Sequence, residues 1–239
     1  MNKSRTFRLT VCVALLFGIG CLTSAQEPVR RGMSLNYGFV SPNTREDLKI
    51  REAIIEMGSA EEAKLIKFAD DLRCVLRTRI FVYRALGSWS DGAEHTLLLR
   101  ASSDELAIRY LLSQLGRDTE QKAVLYFHPQ PGGGANIYRL RIGRHLQLTE
   151  IAAILDQAGI AFRTLVPGKS RTTVYVVDPK RELKGKVLLA AKRLKASLFM
   201  QRGKAEFIGA DTRADAKNVY DSEIRNYEKS HPNLPPRCN

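Results

Sequence analysis

The chain is short of the residues from which most active sites are assembled. Among its 239 residues there are four histidines, four cysteines and one tryptophan. His95, His128, His145 and His231 are far apart and form no His-x-x-x-His pair, which removes the commonest helical zinc pattern. Cys12 and Cys21 fall within the first 25 residues, and the remaining pair, Cys74 and Cys238, does not complete a zinc site alone. Acidic residues are also scarce, with 25 Asp and Glu against 38 Lys and Arg. After Ala25 there is no apolar run near the roughly 20 residues that a membrane helix needs. Long polar low-complexity tracts are missing as well. With 44% hydrophobic residues, a folded protein is expected rather than a disordered one.

What is present begins with an address. Lys3, Arg5 and Arg8 precede an apolar run from Leu9 to Leu22, and Thr23-Ser24-Ala25 supplies small residues before Gln26. This is the three-part plan of a secretory signal. Residues 1–25 therefore read as a cleaved signal peptide, and the protein as exported, periplasmic or secreted. The alternatives are a retained anchor or a lipid attached at Cys21, which follows Gly18-Ile19-Gly20. Removing the leader takes away three of the 38 basic residues and none of the 25 acidic ones, leaving +10 over 214 residues. That length carries one domain with a real core and needs no disulfide framework. In an oxidising compartment, Cys74 and Cys238 either pair or stay apart as a buried small hydrophobe and a tail thiol. The sequence leaves both open.

The hydropathy pattern divides the chain. Residues 26–43, broken by Pro28, Gly32, Gly38 and Pro42, read as an extended leader. An α+β domain follows over 44–210, and 211–239 is a C-terminal helix with a Pro-rich tail. Thr44 with Asp47, Ser59 with Glu62, and Ser102 with Glu105 are N-cap signals. They predict helices over 45–57, 60–75 and from 102 to a stop at Gly116. Another helix is expected over 149–158. Residues 78–86, 94–100, 122–128, 136–142, 160–166 and 171–177 have strand character. Gly132-Gly133-Gly134 reads as the tip of a hairpin between 122–128 and 136–142. Residues 180–204 hold nine Lys or Arg against one acid, Glu182, and Leu183, Val187, Ala191, Leu194 and Leu198 recur at helical spacing.

From 94 to 166 the order is β-α-β-β-α-β. This predicts a ferredoxin-like core, an open antiparallel sheet with both helices on one face. Strands 78–86 and 171–177 would extend its edges, with further helices flanking it at both ends. Such a plan licenses no function by itself.

Candidate chemical motifs fail one by one. The triple glycine precedes a strand, whereas a phosphate cradle opens a helix. Gly168-Lys169-Ser170 lacks the earlier P-loop glycine, whose place is taken by Arg163. Ser88-Trp89-Ser90-Asp91-Gly92 has Ser where a nucleophile elbow needs its first Gly, and it lies between strands. Trp89 reads as a plug over one end of the sheet. No cofactor is implied.

The basic residues are the remaining lead. Arg139 and Arg141 alternate with Tyr138, Leu140 and Ile142, so both point to one face of their strand. On an open sheet they would line the uncovered face. Lys192, Arg193 and Lys195 would add a second patch on the basic helix, expected over 180–200. Segment 136–166, with Ile137-Tyr138-Arg139-Leu140-Arg141-Ile142-Gly143, a helix, Ala158-Gly159 and a strand, is similar to the second half of SPOR domains. Those are exported modules that bind peptidoglycan glycan strands. The shared features are generic, cover about 30 residues and assign no family. The sequence thus predicts an exported, non-enzymatic binding protein with a basic contact surface. Its partner would be an anionic envelope component or another protein, and export argues against nucleic acid. The competing expectation is a secreted hydrolase with scattered catalytic residues and His128 as base.

Overall fold

Eight antiparallel strands close on themselves in this computed structural model, which describes residues 36–43, 48–89, 92–101, 104–168 and 171–238. The export signal with Cys21, the cap residues Thr44, Asp47 and Ser102, and the Ser90-Asp91 turn lie outside the described residues. In chain order the elements are β1 (Asn36–Val40), α1 (Ile50–Ile55), α2 (Ala60–Leu76), β2 (Ile80–Trp89), β3 (Gly92–Ala101), α3 (Glu105–Asp118) and β4 (Ala123–Pro129). Then come β5 (Ala135–Ile142), α4 (Leu148–Gln157), β6 (Thr164–Val166), β7 (Thr172–Asp178), α5 (Lys184–Leu194), β8 (Ala196–Gly209) and α6 (Arg213–Ser230). Around the barrel the order is β1-β3-β2-β6-β7-β5-β8-β4, and β4 returns to β1 through Tyr37↔Phe127, Gly38↔Tyr126 and Phe39↔Leu125.

This overturns the ferredoxin-like expectation. Residues 94–166 form no open sheet among the described residues, and the face that carries Arg139 and Arg141 is turned into the barrel. The β-α-β-β-α-β order occurs twice, in another frame, as β1–β4, where α1 and α2 both fill the first helical place, and as β5–β8. Each set has its strands in the spatial order fourth, first, third, second. The sets join at two seams, β4 with β8 from Ala123↔Gly209 to Pro129↔Gly203, and β2 with β6 at Leu86↔Leu165 and Gly87↔Thr164. Residues 94–166 straddle the junction. A β-α-β string repeated in tandem reads the same from several starting points, and nothing in its periodicity marks where a unit begins. Closure removes the free edges that an open sheet would leave.

Two local expectations change with it. β4 and β5 do not form a hairpin; each pairs with β8, on opposite sides of it. The connecting loop crosses β8 where Gly133 faces the backbone of Gly203, and a Cβ on either residue would collide with main chain. The basic helix ends at Leu194, with Lys195 left-handed at φ 49°, and residues 196–209 are a strand. The pattern that reads as helix to Leu198 is overridden because both edges of β8 are paired. Gly116 does not stop α3; it is buried inside the helix, against Tyr220 and Val124.

Side-chain alternation sorts the core into three regions. Leu97 and Leu99 of β3 point outward to Leu72 of α2, Ile108, Leu111 and Leu115 of α3, and Tyr220 of α6. Tyr138, Leu140 and Ile142 of β5 point outward beneath α4 and α5. Tyr37, Phe39, Ala85, Leu98, Phe127, Ile137, Tyr175 and Val177 fill the barrel interior. Each fully buried leucine contributes about 1.5–3 kcal/mol. α2 starts at Ser59, whose hydroxyl accepts from Glu62 N–H at 3.2 Å, as the cap signal predicts. α3 is capped by Asp104 and α6 by Thr212. Cys74 at the end of α2 is bonded to Cys238, with Cα atoms 5.4 Å apart. The tail is further held by Cys238 N–H donating to Asp71 O and by Arg237 over the Phe68 ring. Among the described residues no helix is long and apolar enough to cross a membrane.

Candidate functional site

The two arginines singled out from the sequence do share a face, and that face is the barrel interior. On β5, Ala135 and Ile137 belong to the interior packing, while Tyr138, Leu140 and Ile142 pack under the helices. Arg139 and Arg141 continue the inward set toward the end of the barrel at which β5 finishes. Arg139 lies with its guanidinium carbon 4.6 Å from the Phe199 ring centroid, on the neighbouring strand β8. Arg141 is one step nearer the rim and exposed.

A third arginine, Arg100 of β3, joins them from the other half of the barrel. Its guanidinium sits 5.6 Å from the Tyr37 ring centroid, and its Nε is buried with no hydrogen-bond partner among the described residues. Tyr175 of β7 is the register partner of Arg139. Burial pushes its phenol up, while the positive charges of Arg100 and Arg139 pull against that shift. Tyr37 and Tyr175 have ring centroids 6.0 Å apart, and the Tyr37 hydroxyl donates to Gln201 Oε1 at 3.4 Å. The result is a cationic, aromatic barrel end built by β1, β3, β5, β7 and β8. Cation–ring contacts fix the guanidinium planes, each worth about 0.5–2 kcal/mol depending on desolvation.

Lys192, Arg193 and Lys195 occupy the same end by connectivity, because α5 runs into β8 and Ala196 pairs with Ile142. They are exposed on the outer side and do not enter the interior. Arg144 donates to Arg193 O at 3.4 Å, tying the end of β5 to the end of α5. The interior arginines and the helix cations therefore form a lining and a rim.

His128 is placed elsewhere. Its ring lies on the outward face of β4, 2.6 Å from Asn36 Oδ1 and stacked on Tyr126. Sequence reasoning missed a different histidine. His95 is fully buried on the outward face of β3, with Nε2 2.7 Å from Glu62 Oε2 but not in hydrogen-bonding alignment. Glu62 also accepts from Gly58 N–H at 3.0 Å and from Arg84 Nε at 2.5 Å. Desolvation holds the His95 pKa below its ordinary value, outweighing the attraction of Glu62. His95 and Glu62 are shut off from solvent, while the Arg84 side chain that pairs with Glu62 is about half exposed at 54%. No group of three or more His, Cys, Asp or Glu residues suited to a metal ion occurs among the described residues.

The missed residues had a faint signal. Arg100 sits in alternation behind Leu98 and Thr96, as Arg139 does behind Ile137, but only the barrel topology brings β3 opposite β5. No family model and no curated protein matches the sequence. One solved structure, described as an anthrone oxidase-like protein, is similar over 77% of this chain and 96% of its own, at 11% identity and a TM-score of 0.24. A likeness that slight assigns neither fold nor activity.

Proposed function

We propose that this is an exported, non-enzymatic binding protein that takes an anionic polymer of the cell envelope at the basic end of its barrel. The observation that carries the reading is Arg100 over the Tyr37 ring and Arg139 over the Phe199 ring, with Tyr175 next to Tyr37 and Arg141 nearer the rim. Guanidinium groups held by rings are pre-organised for carboxylate or phosphate oxygens, so little rotamer entropy is lost on binding. Flanking sugar faces can pack on the same rings. The rim of Lys192, Arg193 and Lys195 supplies long-range attraction, which salt screens within about 8–10 Å.

The test is co-sedimentation of residues 26–239 with purified cell envelope at low and high salt. Binding at low salt that falls at high salt, and falls again in an Arg139→Ala/Arg141→Ala variant, is the expected outcome. Salt-resistant binding that survives both substitutions would move the reading to a protein-specific partner. Absence of binding at either salt would refute the envelope assignment.

A further inference from the structure

The opposite end of the barrel interior has different chemistry. There the ends of β1, β2, β7 and β8 and the starts of β3, β4 and β6 surround a cavity of about 530 Å³. This is within the size range of small-molecule sites, and an eight-stranded barrel is just wide enough to hold one such ligand. Phe39, Leu125, Val177 and Phe207 supply apolar walls. Most polar groups on the lining are already engaged. The Ser41 hydroxyl donates to His95 O at 2.8 Å, the Thr96 hydroxyl to Val40 O at 2.9 Å, and the Gln121 amide to Asn43 O at 2.8 Å. Glu94 also lines the cavity and has its own partner.

Arg163 differs from these in carrying a positive charge. It lines the cavity beside the β2–β6 seam, where the absence of a side chain at Gly87 lets the Arg163 backbone approach. Its Nε is buried with no hydrogen-bond partner among the described residues. The carboxylate whose charge acts on it is Asp178, and both Asp178 oxygens accept backbone N–H groups at the start of α5, from Glu182 and Leu183 at 3.0 Å each. Arg163 is half-buried, and its shielded Nε–H without a partner costs free energy that an arriving anion recovers.

We propose that this cavity is a binding site for a small amphipathic organic acid, its carboxylate on Arg163 and its apolar body against Phe39, Leu125, Val177 and Phe207. The site is separate from the basic end and takes one ligand per chain. A neutral molecule of the same shape brings no charge to Arg163, so the site discriminates by charge as well as by shape.

The test is isothermal titration of residues 26–239 with 2-naphthoate, decanoate and their neutral counterparts 2-naphthalenemethanol and decanol. The expected result is 1:1 binding of at least one acid, at least tenfold tighter than its alcohol, and lost by tenfold or more in Arg163→Met. Ala205→Leu, which fills the cavity without touching the charge, should abolish binding of acid and alcohol alike. If Arg163→Met does not fold, judged by circular dichroism, Ala205→Leu still decides. Arg139→Ala/Arg141→Ala should bind the acid as the parent does. Equal affinity for acid and alcohol, loss of acid binding only in the Arg139/Arg141 variant, or no acid binding by the folded parent would each overturn the proposal.

Discussion

The buried contact between His95 and Glu62 sets two physical effects against each other, and acidification tells which wins. If the carboxylate dominated, folding would raise the His95 pKa and acid would stabilise the protein. His95 is fully buried, and desolvation lowers its pKa instead. The unfolded chain then binds a proton below about pH 6.5 that the folded chain refuses, so stability contributed by neutral His95 is lost as pH falls through that region. One refused proton is worth at most about 1.4 kcal/mol per pH unit, or about 1.4 kcal/mol in total on going from pH 7.5 to 5.5. For a domain of this size that is about 3–6 °C in Tm. His95→Gln keeps a polar side chain and removes the titration. Urea unfolding of parent and variant at pH 7.5 and 5.5 should show the parent losing up to that amount more than the variant between the two pH values. Equal losses, or a parent that gains on the variant at low pH, would refute the reasoning.

Other consequences follow from packing and covalent structure. Cys238→Ser opens a link spanning a sequence separation of 164 residues, whose loop entropy corresponds to about 5 kcal/mol at most, so Tm should fall by about 10–20 °C in thermal denaturation. Gly203→Ala forces a Cβ against the His128 carbonyl and the Phe127 ring and should cost about 1–3 kcal/mol. Gly134→Ala, in the same crossover but with open space around it, should be near neutral by the same chemical denaturation assay. Tyr126→Phe removes a buried hydroxyl with no hydrogen-bond partner among the described residues and should leave stability unchanged or raise it by about 1 kcal/mol.

Local signals were readable where local physics decides. The Ser59 cap with its Glu62 partner marks the start of α2, and alternation puts Arg139 and Arg141 on one side of β5. What that side faces was not readable. Whether it is an open sheet or a closed interior depends on the β4–β8 and β2–β6 seams, which pair residues far apart in the chain. The same non-local pairing turned residues 196–209 from the continuation of an amphipathic helix into the longest strand. Leu198 still packs on the outward core, as its spacing suggests, but reaches it by alternation rather than by helical turns. Arg100 and Tyr37 meet as register partners of β3 and β1, whereas Tyr175 of β7 reaches Tyr37 only across the closed interior. Arg163 stood out in the sequence only as a residue spoiling a phosphate loop, and its significance lies in the cavity that surrounds it.

The central claim is that arginines lining one barrel end, and not net charge, select an anionic partner. It is tested most directly by fluorescence anisotropy of a labelled acidic cell-wall glycan against four forms of the mature protein at low salt. These are the parent, Arg100→Ala, Arg139→Ala/Arg141→Ala, and Lys192→Ala/Arg193→Ala. The account predicts at least a tenfold loss for the interior double variant, a comparable loss for Arg100→Ala, and less than a threefold change for the helix pair. Equal weakening by the two double variants, which remove the same charge, would contradict it.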